Sequence, residues 1–334
     1  MKVAAFTPGG DVPSARFRVR QFIPHLRALG VTLDEMATRT VAYPPRRRWA
    51  RPAWGAARLA ELAYLSARSH RYDAVMLQRE MISSMVTLEA TTGRPRILDV
   101  DDSIHLARGG KTARRLAELS TRVIAGNAYL ADWYRRWNRD VVILPTAVDS
   151  ERYRPAAATA DRETLVIGWI GTSANHAYLA GIEPALVRVV AAHDRVRVRI
   201  VSDRPPPFAV LDPARWSFSP WSEEREVADI QSMDIGIMPL VDSEWARGKC
   251  SFKMLQYMSC GLPVVVSPVG MNAEVLREGA IGHAARNESE WTDALSGLLG
   301  SARSRAAMGA AGRALVERRY ATRVLAAELA RHLR

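Results

Sequence analysis

The sequence predicts an α/β protein of two similar lobes, each a parallel sheet flanked by helices, facing each other across a cleft. Three observations predict it. Short apolar runs alternate with helical patterns along the whole chain. A stretch rich in Pro, Ala and polar residues, without periodicity, interrupts that alternation near the middle. At 334 residues, 48% hydrophobic and 25% charged, the chain can bury two cores of roughly 150 residues each.

The first lobe is expected over residues 1–150. Lys2 to Thr7 reads as an apolar strand, Pro8-Gly9-Gly10 as a glycine turn, and residues 14–29 as one helix with Arg16, Arg18 and Arg20 near its start. Further strands are expected at 74–78, 96–100, 122–125 and 141–145, with helices at 111–120 and 128–137. The aperiodic shift begins at Asp149, and 151–162 reads as the linker. The second lobe, 163–315, repeats the scheme with strands at 165–170, 196–201 and 235–238, a turn at Gly171 and a helix at 182–193. The alanine-rich tail from Trp291 is helical, and its end, 316–334, is expected to pack back on the first lobe. Ligands of open parallel sheets sit beyond the carboxyl ends of strands, so the loops after Thr7, Val100, Ile170, Pro239 and Val266 are expected to line the cleft.

The most informative stretch is Arg247 to Glu274. Ser251 suits the N-cap of a helix whose apolar spacing falls on Phe252, Leu255 and Met258, Gly261 stops it, and Pro263 to Ser267 follows as a buried parallel strand ending in a turn at Gly270. Two of the chain's four lysines flank that helix start, Lys249 before it and Lys253 about one turn in. Free amides with two cations suit a phosphate or diphosphate, which makes a nucleotide the expected ligand; the alternative is ordinary packing with solvated lysines.

Net charge is +12, but the arginines are spread along the chain, so no nucleic-acid partner is expected. One local cluster, Pro44 to Trp54, mixes four arginines with two tryptophans just before an amphipathic helix at about 56–69. It suits an anionic membrane surface or an acidic acceptor, or else forms a solvated loop with its tryptophans packed inward. No apolar run approaches the roughly 20 residues that span a bilayer, and the opening residues do not read as a signal peptide, so a cytoplasmic setting is expected, with peripheral contact at the inner membrane face as a further option. Cys250 and Cys260, ten residues apart in what reads as one helical segment, suggest neither a disulfide framework nor a zinc site.

The segment from Lys253 to Glu274, with I-A-G-N-A-Y-L-A at 124–131, L-P-T-A-V-D at 144–149, P-W-S-E-E-R-E at 220–226 and D-I-G-I-M-P-L at 234–240, resembles glycosyltransferase family 4 over nearly the full chain. The resemblance implies a GT-B fold of two Rossmann-like lobes, a nucleotide-activated sugar donor held by the C-terminal lobe, an acceptor held by the N-terminal lobe, and transfer with retention. It implies no metal and no cofactor beyond a UDP-, GDP- or dTDP-sugar.

Two departures from the family pattern stand out. Its paired glutamates fall on Gly248 and Gln256; the carbonyl oxygen of Gln256 is able to accept from ribose hydroxyls, whereas Gly248 offers only backbone, with Cys250 and Ser251 beside it, to the donor sugar. The arginine and lysine that the family places after the strand at 165–170 are absent from the loop Gly171-Thr172-Ser173-Ala174-Asn175-His176. Charge on the leaving diphosphate is then assigned first to Lys249 and second to Lys253, with the Thr172 and Ser173 hydroxyls as donors; His176 reads as structural or solvated. Amides from Val269 to Asn272 are expected near donor hydroxyls, with Glu274 near the sugar or phosphate or simply favouring a helix dipole. Gly9 and Gly10 would let backbone approach the donor.

On the acceptor side, Asp99-Val100-Asp101-Asp102 closes a strand. A metal there is not expected; Asp101 or Asp102 is expected to bond an acceptor hydroxyl or steady charge on the sugar ring, or Asp102 to cap the next turn, with His105, Arg16 and Arg18 as further acceptor contacts. These readings imply a retaining hexosyl transfer to a sugar, lipid-linked or small-molecule acceptor in carbohydrate or natural-product biosynthesis. The competing readings are a non-catalytic nucleotide-sugar or glycan binding subunit, and an epimerase of the same fold.

Overall fold

A computed structural model describes residues 1–9, 12–157 and 163–334; Gly10 and the end of the stretch read as a linker lie outside the described residues. The chain forms two compact units. Unit 1 comprises Met1–Ala147, Arg247–Cys250 and Thr322–Arg334, and unit 2 comprises Val148–Ala246 and Ser251–Ala321. The last helix therefore belongs to unit 1, and so does a four-residue strap cut from the middle of the most informative stretch.

Unit 1 is built on β1 (Lys2–Thr7), β2 (Thr32–Ala37), β3 (Ala74–Gln78), β4 (Arg96–Val100), β5 (Arg122–Ala125) and β6 (Val141–Ile143). They form one sheet in the order β2-β1-β3-β4-β5-β6 with every pair parallel. Every residue of β3 and β4 is buried, as expected of central strands covered on both faces. The helices are α1 (Pro13–Arg18), α2 (Ile23–Ala28), α3 (Arg51–Ser69), α4 (Lys111–Leu119) and α5 (Ala128–Tyr134), with Thr322–Leu333 at the chain's end. The core joins Val3, Phe22, Leu26, Met76 and Ile124 to Leu325 and Leu329 of that final helix.

The helix expected over 14–29 is broken. Val19 leaves helical geometry (φ −127°, ψ −65°), a single tight turn covers Arg20–Phe22, and Pro24 stands in the first turn of α2. Proline lacks the amide needed to continue a helix and clashes with the carbonyl four residues back, so it begins a helix more readily than it extends one.

Unit 2 is built on β7 (Leu165–Ile170), β8 (Val196–Ser202), β9 (Trp216–Pro220), β10 (Ile235–Met238), β11 (Val264–Val266) and β12 (Gly282–Ala284), in the order β12-β11-β10-β7-β8-β9, again all parallel. This is the doubly wound arrangement, and its direction reverses between β7 and β10, where a crevice opens beyond the strand ends. Its helices are α6 (His176–Ala180), α7 (Glu183–Ala192), α8 (Glu226–Gln231), the single turn α9 (Glu244–Arg247) leading to the strap, α10 (Phe252–Ser259), α11 (Met271–Leu276), α12 (Glu288–Leu299) and α13 (Ala302–Leu315). Ile167, Val198, Ile237, Val265, Trp291 and Leu295 lie in its core.

Tyr153 falls within the stretch read as linker, yet it is 2% exposed and built into unit 2. Its hydroxyl donates to Glu226 Oε2 (2.5 Å), and its carbonyl accepts from Ser259 Oγ (2.6 Å) and Arg313 Nη1 (2.6 Å). Cys250 is likewise not in a helix with Cys260: it lies in the strap of unit 1, whereas Cys260 ends α10 in unit 2, and both thiols are free and buried.

Candidate functional site

The turn after β7 and the start of α10 meet in unit 2. A Cβ on Gly171 would stand 2.5 Å from Cζ2 of Trp169 and 3.1 Å from Cε of Lys253. The site thus has no room for a side chain at 171, and the Lys253 stem runs alongside the turn at the carboxyl end of β7. Beyond it, the turn is tied to β8. The Ser173 amide (2.6 Å) and hydroxyl (2.7 Å) both donate to the Asp203 carboxylate, and Asn175 Nδ2 donates to Thr172 Oγ1 (3.0 Å). The Ser173 hydroxyl, followed by its amide, holds the Asp203 carboxyl below the usual carboxylate range. Ser173 is therefore corrected from a ligand donor to half of a clamp, because Asp203 already takes its proton. Thr172 remains exposed. His176 is buried, with Nε2 3.1 Å from Ser202 Oγ, and burial pushes its pKa below 6.5.

Three other expected ligand groups are corrected in the same way. Ser251 does not cap α10: its backbone is left-handed (φ 51°, ψ 23°), which turns the hydroxyl away from the helix amides to donate to Asn272 Oδ1 (2.6 Å). Asn272 is fully buried and donates to the Ser267 carbonyl (3.1 Å), so both ends of its amide are committed. The Val269 and Asn272 amides donate to the carbonyls of Ser267 (2.8 Å) and Val269 (3.2 Å). Glu274 is exposed in the first turn of α11. Gln256 is 1% exposed and donates through Nε2 to Glu226 Oε1 (3.0 Å), so only its carbonyl oxygen faces elsewhere. Glu226, 4% exposed, collects both this bond and the Tyr153 hydroxyl. Sequence reasoning passed over Glu226, although it closes the P-W-S-E-E-R-E motif.

In unit 1 the strand ends gather charge. Arg18 and Asp99 form a buried pair (1% and 0% exposed) through Nη2 to Oδ1 (2.5 Å) and Nε to Oδ2 (3.0 Å), while Arg18 Nη1 donates to the Leu144 carbonyl (3.0 Å). Burial pushes the Asp99 carboxyl up, and Arg18 pulls it only part of the way back. Arg18 is corrected as an acceptor contact, since its guanidinium is enclosed and spent. Arg16 is half-buried, its guanidinium 4.2 Å over the Phe17 ring. His105 is corrected too: it is 5% exposed and stacked on Trp133 (centroids 4.9 Å apart, 29° between planes).

Asp101 and Asp102 share Arg79, at 2.7 Å and 3.4 Å. Arg79 follows β3 directly in the left-handed region (φ 63°) and its amide donates to the Asp99 carbonyl (3.0 Å). Burial works against its charge, but the two carboxylates outweigh burial and raise its pKa. Asp102 also accepts from the Ser103 amide (3.1 Å), the position before the next turn is Ser103 and carries no side-chain cap bond, and the Asp102 pKa is raised by burial against the pull of Arg79 and Lys249. Lys249 thus sits among the carboxylates of unit 1.

The strap is held by Asn127, whose Oδ1 caps α5 by accepting from Leu130 N (2.9 Å) while Nδ2 donates to the carbonyls of Arg247 (3.2 Å) and Lys249 (3.1 Å). Cys250 Sγ lies 3.2 Å from the Asp101 carbonyl, and burial pushes the thiol up, so Cys250 is corrected from a ligand contact to a packing residue. A Cβ on Gly248 would stand 1.9 Å from Ser103 Oγ. Only glycine fits there.

Residues 164–301 match the family model described as glycosyl transferases group 1. No curated protein sequence matches the chain significantly. Among solved structures, sucrose-phosphate synthase from Thermosynechococcus elongatus is similar over 99% of this chain and 98% of its own, at 14% identity and a TM-score of 0.75. HepE from Anabaena, in complex with UDP-glucose, is similar over 100% and 99%, at 14% identity and a TM-score of 0.69. WaaG, a glycosyltransferase involved in lipopolysaccharide biosynthesis, is similar over 100% and 99%, at 10% identity and a TM-score of 0.66. The shared fold is the GT-B fold of two Rossmann-like units.

Proposed function

We propose that this protein is a retaining glycosyltransferase that moves a hexose from a nucleoside diphosphate sugar to an acceptor hydroxyl, with unit 2 holding the donor. The observation that carries this reading is the meeting of Gly171 and Lys253 at the carboxyl end of β7. The position is next to the point where the sheet reverses direction, the usual crevice for a nucleotide. A glycine there lets phosphate oxygens approach the backbone, and Lys253 brings the cation that the 171–176 loop lacks. A leaving diphosphate gains negative charge as it departs, and a positioned cation does most for rate where charge develops. Both residues lie inside the stretch that matches the group 1 model.

HepE, which shares the fold, was crystallised with UDP-glucose, so a UDP-sugar is the first donor to supply. Gln256 offers its carbonyl oxygen to the ribose, and Glu226 fixes the amide so that the oxygen, not the nitrogen, is available. Acceptor binding falls to unit 1, with Asp102, the more exposed of the two Arg79 partners (21% against 13%), accepting from the acceptor hydroxyl. A cytoplasmic setting suits two buried free thiols, and no described helix is long and apolar enough to cross a membrane.

Purified protein is incubated with UDP-glucose and with GDP- and dTDP-sugars, with and without candidate acceptors, and nucleotide release is followed. Release that depends on acceptor supports transfer. Selective nucleotide binding without release would favour the non-catalytic binding reading, to which the exclusion of a glutamate at position 248 lends weight. A changed sugar without transfer would favour an epimerase. With Lys253 carrying the charge, activity is expected to survive a chelator.

A further inference from the structure

α3 buries a charge beside Leu62 and Leu65. Arg58, at its middle, points inward and is 1% exposed, donating to Thr38 Oγ1 (2.7 Å) and to the carbonyls of Thr40 (2.9 Å), Val41 (3.2 Å) and Met81 (3.0 Å). Glu61 is half-buried and accepts from the Thr40 amide (3.1 Å) and hydroxyl (3.0 Å). With both charges spent on the first unit's own backbone, every exposed side chain between Arg51 and Arg68 is uncharged: alanines, with Pro52, Leu59 (42% exposed) and Tyr64 (63%). A helix on the surface of a soluble protein normally shows water its charged face.

The ends of this face are basic and aromatic. Before the helix, Trp49 is 77% exposed and Tyr43 64%, beside the exposed Arg46, Arg47, Arg48 and Arg51. In its last turn stands exposed Arg68, whose guanidinium lies 5.8 Å over the Tyr64 ring, and after it comes exposed Arg71. No Asp or Glu occurs between Glu35 and Glu61. The tryptophans of this cluster do not both pack inward, since Trp49 is among the most exposed side chains of the protein.

We propose that α3 and the loop before it dock the protein on an anionic lipid bilayer, with the helix lying along the surface. At about 1.5 Å per residue, the 19 residues of α3 present a strip of roughly 28 Å. The strip is too polar at its ends to span a bilayer and has the pattern of a helix that lies in the interface. Trp49, Tyr43 and Tyr64 sit at the depth where amphipathic rings prefer to rest. Arg46, Arg47, Arg48 and Arg51 face lipid phosphates, which guanidinium groups bind in a fork. Charge complementarity selects an anionic membrane over a protein partner, because the arginines before and at the start of the helix have no acidic residue among them from 36 to 60. The proposal does not rest on the donor chemistry of unit 2, so it stands or falls separately from glycosyl transfer.

Flotation of the full chain with vesicles tests it, using phosphatidylcholine alone and a two-to-one mixture of phosphatidylcholine and phosphatidylglycerol. Binding is expected only to the mixture and is expected to weaken with salt. R46E/R47E/R48E is expected to lower the partition coefficient by about 100-fold or more, each arginine near the surface being worth roughly fivefold. L59E/Y64E, which keeps every arginine, is expected to lower it by about tenfold through the apolar strip. R135E/R136E/R139E changes net charge equally at exposed arginines elsewhere in unit 1 and is expected to lower it much less. A thermal midpoint for each variant guards against loss through misfolding, and the two α3 variants are unlike enough that one serves if the other unfolds. Absence of binding to the mixture, binding unchanged in both α3 variants, or equal loss in the control overturns the proposal. Self-association abolished by L59E/Y64E, without vesicle binding, would overturn it in favour of a second copy of this chain.

Discussion

Lys253→Met separates the two lysines that flank the start of α10. Methionine keeps much of the stem that lies against Gly171 and removes only the ammonium. If a diphosphate occupies the crevice after β7, the variant loses a charge-assisted contact. Two unit charges about 4 Å apart at an effective dielectric near 20 interact by about 4 kcal/mol. Lys253 is only half-buried, and water screens part of that, which brings the expected loss to the roughly 1.5–3 kcal/mol of a hydrogen bond to a charged group. Affinity for UDP should therefore fall by about 10- to 150-fold. Uridine, which carries no phosphate, should bind the variant and the parent within about threefold of each other, since the ammonium removed faces the phosphates and not the base or ribose. Titration calorimetry of UDP, UMP and uridine against the parent, Lys253→Met and Lys249→Met measures these affinities directly. Equal losses for uridine and UDP would mean that Lys253 shapes the unit rather than the phosphate site. UDP binding abolished by Lys249→Met and untouched by Lys253→Met would refute the assignment outright and return the role to the strap.

Other outcomes follow from the geometry. Arg18→Met strands Asp99 in the interior and is expected to cost about 3–5 kcal/mol, seen as a lower urea midpoint for unit 1, whereas Arg18→Met with Asp99→Leu should recover most of it; a single variant as stable as the parent would sink this reading. Gly248→Ala forces a Cβ against Ser103 Oγ and should cost about 1–3 kcal/mol, with Ser103→Gly restoring stability in the double variant but not adding to that of the parent. His176 has a folded pKa below its unfolded 6.5 because burial disfavours its charge. Its neutral form is the one that folds, so stability should be complete above 6.5 and decline as pH falls through the window beneath it. His176→Gln should flatten that decline in thermal midpoints, and an unchanged slope would assign it to other groups.

The inner strands were legible, and of the four edge strands only β6 was. β7, β8, β10 and β11 stand where buried apolar runs placed them, because strands covered on both faces admit little else. The three strands passed over, β2, β9 and β12, are all edge strands. β2 carries Asp34 and Glu35, β9 alternates serine with aromatic residues, and β12 is three residues long, so none offers a continuous apolar run. The break in the helix at 14–29 did have a signal in Pro24, outweighed by an apolar spacing that continues across it. For the site, residue types pointed to strand ends but not to the partners there. Asp101 and Asp102 read as ligands for something outside the chain, because Arg79 stands 22 residues away from Asp101, as Arg18 stands 81 residues from Asp99. Only the fold brings a cation that far along the sequence to a carboxylate. The left-handed backbone at Arg79 and Ser251 is invisible for the same reason: nothing local in either residue asks for it.

The glycine at position 248, where the pattern that the sequence resembles has a glutamate, is best understood through the strap. Asn127 grips the carbonyls on either side of Gly248 while capping α5 with its other amide atom, so the strap's height above unit 1 is fixed from below by one side chain. At that height Ser103 Oγ occupies the space a Cβ at 248 would need. A glutamate there would demand a smaller residue at 103, a looser grip by Asn127, or both. The two departures therefore belong together: a strap pressed onto unit 1 has no side chain at 248 to lend to a donor sugar, and the lysine it carries, Lys249, belongs to unit 1 and bears on the Asp102 carboxylate. If transfer occurs, cationic help must come from unit 2 itself, where Lys253 is the lysine beside the turn after β7. This is why Lys253, ranked second on sequence grounds, becomes the first residue to change.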